Sequence, residues 1–197
     1  MEEKLKQTDI NIIKVVLFGP ESSGKTTLSK LLARHYNTVW VPEYARDYLQ
    51  NKWNNERKTC EISDMLPIAE GQMKLENELA LKADKILICD TDLLETKVYS
   101  EEFYGGFVHP DLEKAALQNT YDLYFLTYID APWKKDDLRD RPEQRLEMFN
   151  AFENALIKNN RRYVLLKGDK KERLETAIRE IDELLKLKPD LHRFSGK

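Results

Sequence analysis

The sequence predicts a three-layer α/β fold built on a five-stranded, mostly parallel sheet. Two observations carry that expectation. Short runs rich in β-branched and aromatic residues alternate with longer segments of helical apolar spacing. No internal repeat or low-complexity tract interrupts the alternation. In such folds the crossovers are right-handed, and ligands bind beyond the carboxyl ends of the strands.

Residues 12–18 form the first strand and end at Gly19. Residues 24–36 follow as a helix, with Leu28, Leu31, Leu32 and Tyr36 at helical spacing. Residues 38–41 are a second strand, closed by Pro42, and Tyr44 to Trp53 reads as helical. The longest helical stretch is 63–84, where Met65, Ile68, Ala69, Met73, Leu79 and Ala80 make an apolar stripe and Ser63 is the expected N-cap. Residues 85–90 are a third buried strand. Gly105-Gly106 breaks the segment after it, and Pro110-Asp111 opens a short helix. Residues 123–129 make a fourth strand, and a charged stretch leads into a helix over 146–158. Residues 163–166 and 171–187 supply the fifth strand and last helix. The expected organisation is a single domain over 1–187, with a short charged lid at about 131–145 and a polar tail at 188–197.

Composition excludes several classes. No apolar run approaches the ~20 residues of a membrane span. The start, Met1 to Gln7, is polar and lacks a secretory apolar region. Cys60 and Cys89 form no CxxC pair, so a zinc or disulfide scaffold is not expected; a cytoplasmic protein with two free thiols is. The 32 Lys and Arg against 35 Asp and Glu give a net charge of −3, which provides no electrostatic footprint for nucleic acid or an acidic membrane. No His-based triad or zinc spacing emerges from His35, His109 and His192. Oligomeric state is not legible.

The chemistry concentrates at the strand ends. Gly19-Pro20-Glu21-Ser22-Ser23-Gly24-Lys25-Thr26 fits G-x-x-x-x-G-K-[ST] between a predicted strand and a predicted helix. Gly19 and Gly24 let the backbone turn tightly, and successive N–H groups, through Thr27 at the helix start, make a concave anion site. Lys25 is expected to reach the β- and γ-phosphates of a nucleoside triphosphate such as ATP, and Thr26 to ligate Mg²⁺. This motif defines a P-loop NTPase fold and leaves GTPase, ATPase, helicase and kinase open. Asp90, ending the third strand, is the expected Mg²⁺ partner. Asp92 is a candidate for a ribose hydroxyl or the metal, or for capping the helix that follows. Glu43, at the end of the second strand, is placed to accept a proton from an attacking hydroxyl. Arg46 is a phosphate ligand or an i,i+3 partner of Glu43. In the charged stretch, Arg139 and Arg141 are candidates to close over a transferring phosphoryl group, or part of a solvated surface run.

These motifs together resemble the ribosylnicotinamide kinase domain of NadR-type NAD-biosynthesis proteins. The resemblance runs from Gly19–Leu28 through Glu43-Tyr44-Ala45-Arg46, Gly71-Gln72, Asp90-Thr91-Asp92 and His109-Pro110 to Trp133 and Asp137-Leu138-Arg139, within about 12–187. It implies the P-loop nucleoside-kinase fold, Mg²⁺, and ATP-dependent phosphorylation of the 5′-hydroxyl of ribosylnicotinamide to nicotinamide mononucleotide. It implies that Gln72 and Asp92 face the nucleoside and that Arg139 lies over the phosphates. Larger members carry adenylyltransferase and DNA-binding domains before the kinase; with its first strand starting near residue 12, this chain is expected to lack both activities. It has Pro42 and Met73-Lys74-Leu75 where the family often has aromatics, leaving Trp40 and Tyr44 as the aromatic candidates there. The alternatives are a kinase for another nucleoside or small metabolite, and a regulatory ATP-binding switch with slow ATPase activity. Under either kinase reading, Lys25→Ala abolishes ATP-dependent phosphorylation, checked by transfer of labelled phosphate; substantial retained turnover contradicts it.

Overall fold

Six consecutive buried residues make Ile13–Phe18 (β1) the central strand of the protein. The computed structural model describes residues 2–134, 138, 142–188 and 191. Among these, β1 is joined by β2 (Trp40–Val41), β3 (Ile86–Asp90), β4 (Leu123–Thr127) and β5 (Tyr163–Leu166) in the order β2-β3-β1-β4-β5. Every pairing is parallel. Neighbours β3 and β4 are reached from β1 in opposite directions, so a crevice opens above the carboxyl end of β1. The helices are α1 (Lys25–His35), α2 (Tyr44–Glu56), α3 (Met65–Ala80), α4 (Leu93–Phe103), α5 (Pro110–Gln118), α6 (Arg145–Lys158) and α7 (Lys170–Leu187).

The period of two in β1 sorts its side chains between two helical layers. Ile13, Val15 and Leu17 pack with Leu28 and Leu32 of α1 and with Ala177, Ile181 and Leu184 of α7. Val16 and Phe18 pack with Val98 of α4 and Phe149, Phe152 and Leu156 of α6. Phe18 meets Tyr124 and Phe152 edge-to-face, with ring centroids 5.4 and 5.1 Å away. Each fully buried side chain of this size contributes about 1.5–3 kcal/mol. The base of the site is therefore the rigid centre of the core.

The elements follow the sequence with instructive differences. The predicted strand 38–41 shortens to β2 because Thr38 bonds Ile86 O through its side-chain hydroxyl (2.7 Å), not through a ladder amide. Ser63 is not a cap: residues 62–64 form a 3₁₀ turn closed by a capping box between Glu61 and Asp64, and α3 starts at Met65. α2 runs on to Glu56 and ends where Arg57 turns left-handed (φ 56°). The helix that Asp92 is a candidate to cap is α4; it starts at Leu93 and finishes before Gly105 and Gly106, both at positive φ. Leu191, in the expected polar tail, packs into the α1–α7 layer.

Two contacts set α2 against α3 and so shape the mouth of the crevice. A Cβ on Gly71 would lie 2.1 Å from Tyr44 Cε1, so only glycine lets the Tyr44 ring press onto α3. Asp64 accepts hydrogen bonds from Lys52 Nζ (2.6 Å), Glu61 N (2.7 Å) and Tyr48 Oη (3.1 Å). Burial acts to raise the Asp64 pKa, but Lys52, the Glu61 amide and Tyr48 together hold it below its ordinary 3.8. A depressed carboxylate pKa adds stability that is present above the unfolded value and fades as pH falls through the folded one. Asp64→Asn is therefore expected to cost about 1–2 kcal/mol at pH 7, part of the charge being screened by solvent. The gap between variant and wild type should close below about pH 4 in thermal melts.

Candidate active site

The loop between β1 and α1 is a backbone cradle. Gly19, Ser22 and Gly24 take φ of 132°, 56° and 93°. Gly19 is required by crowding as well as by its φ, since a Cβ there would sit 2.8 Å from Thr127 Oγ1. Ser23 and Thr127 hydroxyls bond each other at 2.6 Å, tying the loop to the end of β4. Gly24 ends the loop, and no side chain caps α1 and no acid sits in its first turn. The first amides of α1 thus keep their capacity for an anion.

Arg173, in the first turn of α7, holds the loop from behind. It donates to Ser23 O (2.6 Å), Gly168 O (3.0 Å) and Tyr128 O (3.0 Å) and pairs with Asp130. Its planar fork satisfies backbone carbonyls from three separate segments.

Lys25 is buried among carboxylates. Its ammonium lies 3.1 Å from Glu95 Oε1 and donates to Gly19 O (2.5 Å) and Pro20 O (3.2 Å). Burial alone would lower its pKa, but Glu95, Glu43 and Asp90 raise it above the ordinary value. One cation cannot offset three acids. Asp90 is pushed up to about 7, first by burial and then by Glu43, against the pull of Lys25 and the Thr26 hydroxyl. Burial drives Glu95 well above the usual carboxylate range despite Lys25. Neither Asp90 oxygen has a hydrogen-bond partner of good geometry, although the residue is fully buried. An orphaned carboxylate beside a threonine hydroxyl fits a hard divalent cation such as Mg²⁺, which takes one or two protein oxygens and completes its shell with phosphates and water. Among the described residues, no group of three or more His, Cys, Asp or Glu forms a self-sufficient metal cage.

Two cavities meet above the cradle. One, of about 710 Å³, is lined by Ser22 to Leu28, Arg46, Ala131, Pro132 and the Gly168–Lys170 turn. The other, of about 230 Å³, is lined by Met65, Ile68, Gln72, Glu95, Cys60 and an aromatic group of Tyr99, Phe103, Tyr104 and Trp133. Glu21, Glu43 and Leu138 line both. The guanidinium of Arg145 lies over the Trp133 ring, 5.6 Å from its centroid, and donates to Ala131 O (3.1 Å).

Most of the residues expected from the sequence converge here. Glu21, Ser22, Ser23, Gly24, Lys25, Thr26, Thr27 and Arg46 line the larger cavity. Glu43 precedes α2 without capping it and faces both cavities. Gln72 lines the smaller one, accepts from Tyr44 N (2.8 Å) and donates to Pro42 O (3.3 Å), so it holds the β2–α2 corner. Asp92 does not reach a cavity wall. It caps α4 by accepting from Glu95 N (3.0 Å), accepts a second bond from Tyr124 Oη (2.7 Å), and is sealed at 1% exposure. Of its two sequence readings, the capping one describes its side chain, and Glu95 one turn later occupies the cavity wall. Trp40 and Tyr44 also lie elsewhere: Lys30 sits over Trp40 on the α1–α7 side, and Tyr44 is pressed on Gly71. The aromatic wall comes instead from α4, as Tyr99, Phe103 and Tyr104, and from Trp133. Arg139 and Arg141 lie outside the described residues. Glu95 and Arg173 escaped sequence reading, although each sits in the first turn of a helix that opens with an Asp-x-x-Glu pattern.

Comparison with known proteins places this geometry. Residues 14–173 match the family model described as an AAA domain. The Trifunctional NAD biosynthesis/regulator protein NadR of Escherichia coli (strain K12) is 32% identical over 152 residues, covering 76% of this chain and 37% of the relative. The chain thus spans well under half the length of that relative. A crystal structure of NadR protein in complex with NR superposes with a TM-score of 0.67 at 22% identity, covering 94% of this chain and 54% of that one. Deoxyadenosine kinase from M. mycoides with bound dATP gives 0.57 at 17%, covering 86% and 99%. The fold is that of P-loop kinases.

If Arg173 braces the cradle, Arg173→Lys should release it, because an ammonium cannot reproduce the fork. Amide hydrogen exchange across residues 21–24 is expected to rise about tenfold or more while β1 stays protected. Unchanged exchange would remove the brace from the account.

Proposed function

The chain belongs to the AAA domain family, and we propose from that premise that it is an ATP-dependent kinase phosphorylating the 5′-hydroxyl of ribosylnicotinamide. The observation that carries the reading is the pair of cavities that share Glu21, Glu43 and Leu138 as lining, with Lys25 on the wall of the larger one. A switch that only hydrolyses ATP has no use for a second, aromatic cavity against its phosphate cradle. A phosphotransferase needs one to hold the acceptor in line with the γ-phosphate and apart from water.

On this reading the larger cavity takes ATP. Backbone amides of Ser22 to Thr26 receive the phosphates, and Lys25 neutralises the β- and γ-groups. Thr26 and Asp90 would hold Mg²⁺, which when bound offsets charge on the phosphate oxygens. The smaller cavity takes the nucleoside. Its ring of Tyr99, Phe103, Tyr104 and Trp133, edged by Glu21, Glu43 and Glu95, suits a flat cationic ring such as a pyridinium. Glu43, at the junction, orients the acceptor hydroxyl and accepts its proton. Arg139 and Arg141, which follow Leu138 in the chain, supply lid charge on this reading. Positioning and charge stabilisation carry most of the rate, so loss of the base is felt less than loss of the cradle. The NadR likeness over three quarters of the chain supports the choice of nucleoside.

A panel of nucleosides incubated with labelled ATP and Mg²⁺ tests the reading. Labelled nicotinamide mononucleotide is the expected product, with Glu43→Gln lowering kcat about 10²-fold. Labelling of another nucleoside would reassign the acceptor. Slow release of inorganic phosphate alone would replace the kinase with a switch.

A further inference from the structure

An ammonium has three N–H donors, and Lys25 commits two of them to Gly19 O and Pro20 O. Glu95 Oε1 lies 3.1 Å from the same ammonium as an ion pair, and no hydrogen bond of good geometry satisfies that buried oxygen. The other oxygen of Glu95 accepts the Gly19 amide at 3.2 Å. One carboxylate therefore ties both the first residue of the cradle and its lysine. Glu95 is 2% exposed, yet it lines the smaller cavity between Thr91 and Thr96. Its position is firm, because its own amide is bound by Asp92, which Tyr124 seals. The preceding turn is strained: Thr91, a β-branched residue, has φ 73° and donates its amide to Leu17 O (3.1 Å).

A phosphate group that binds the Lys25 ammonium competes with Glu95 for its charge and with the two carbonyls for its donors. Glu95 is the one whose loss of partner matters most, since a buried carboxylate without a cation is costly. It then needs another donor, and the cavity it lines is where an acceptor molecule brings hydroxyl groups. We propose that Glu95 couples the two cavities: a triphosphate draws Lys25 away from Glu95, and the released carboxylate accepts a hydrogen bond from a hydroxyl of the acceptor. The second half rests on the kinase reading above; the first half does not. By linkage the coupling is reciprocal, so an acceptor that bonds Glu95 tightens nucleotide binding by the same factor.

Calorimetric titration with AMP-PNP and with ribosylnicotinamide tests this on the full chain. Glu95→Gln keeps the shape and removes the charge that holds Lys25. It is expected to tighten AMP-PNP binding about fivefold or more, and to leave AMP-PNP affinity unchanged in a Lys25→Met background. A purely structural role for Glu95, or direct repulsion of phosphate, would act equally in both backgrounds and so overturns the proposal. Lys25→Met breaks the same pair from its other end and covers the case in which Glu95→Gln does not fold. It should bind ribosylnicotinamide without nucleotide as tightly as wild type binds it with AMP-PNP present. Weaker binding by Lys25→Met than by the loaded wild type overturns the released-carboxylate step. If no form binds ribosylnicotinamide, the acceptor reading fails, while the AMP-PNP comparison still decides the part played by Glu95.

Discussion

One buried ammonium holds the site together. Lys25 is shared among the Glu95 carboxylate and the carbonyls of Gly19 and Pro20, with Glu43 and Asp90 close enough to shift its pKa. Three acids around one cation is a poor arrangement for stability, because each carboxylate loses water and gains only a fraction of a counter-charge. It suits a place where further positive charge belongs, the part proposed above for a metal ion. The raised pKa of Asp90 and its orphaned oxygens express the same imbalance. Strain and unmet polar groups gather here, while the strands below are apolar and fully packed.

The rest of the fold keeps that ammonium in place. β1 supplies the approach, and its parallel neighbours deliver Asp90 beside Leu17 on one side and Thr127, one residue past the partner of Phe18, on the other. Thr127 takes the space beside Gly19 that no other residue could share, and Arg173 gathers carbonyls behind Ser23. Four elements distant in sequence thus meet on six residues of loop. None of these contacts is large. Their value is that a cradle already in shape loses little entropy when it takes an anion.

The neighbouring cavity shows how one helix serves two ends. α4 starts on Asp92, whose carboxylate is consumed by the Glu95 amide and the Tyr124 hydroxyl. That cap aims the first turn so that Glu95 reaches Lys25. Two turns on, Tyr99, Phe103 and Tyr104 become the aromatic wall. The acid nearest the strand in sequence serves structure, and the one a turn later faces the chemistry. Helix geometry makes that assignment: Asp92 sits at the cap before the first turn, while Glu95, Tyr99 and Phe103, four residues apart, share one face.

The primary structure alone determined the alternation of strands and helices, the parallel sheet and the cradle from Gly19 to Thr26. These are local properties: apolar period, β-branching, and the glycines and lysine of one contiguous motif. It also put Glu43 and Asp90 at strand ends, because the end of an apolar run is visible without a partner. Of α4 only the start was legible, as the helix Asp92 would cap; its extent was not, because its apolar residues are spread around the helix instead of along a stripe. Tertiary structure decided that Asp92 caps and Glu95 faces the cavity, that the aromatic wall comes from α4 and Trp133, and that Arg173 braces the loop. Each of these depends on which side of a helix meets a segment remote in the chain. Local spacing leaves several such outcomes equal, and the packing of the sheet selects among them.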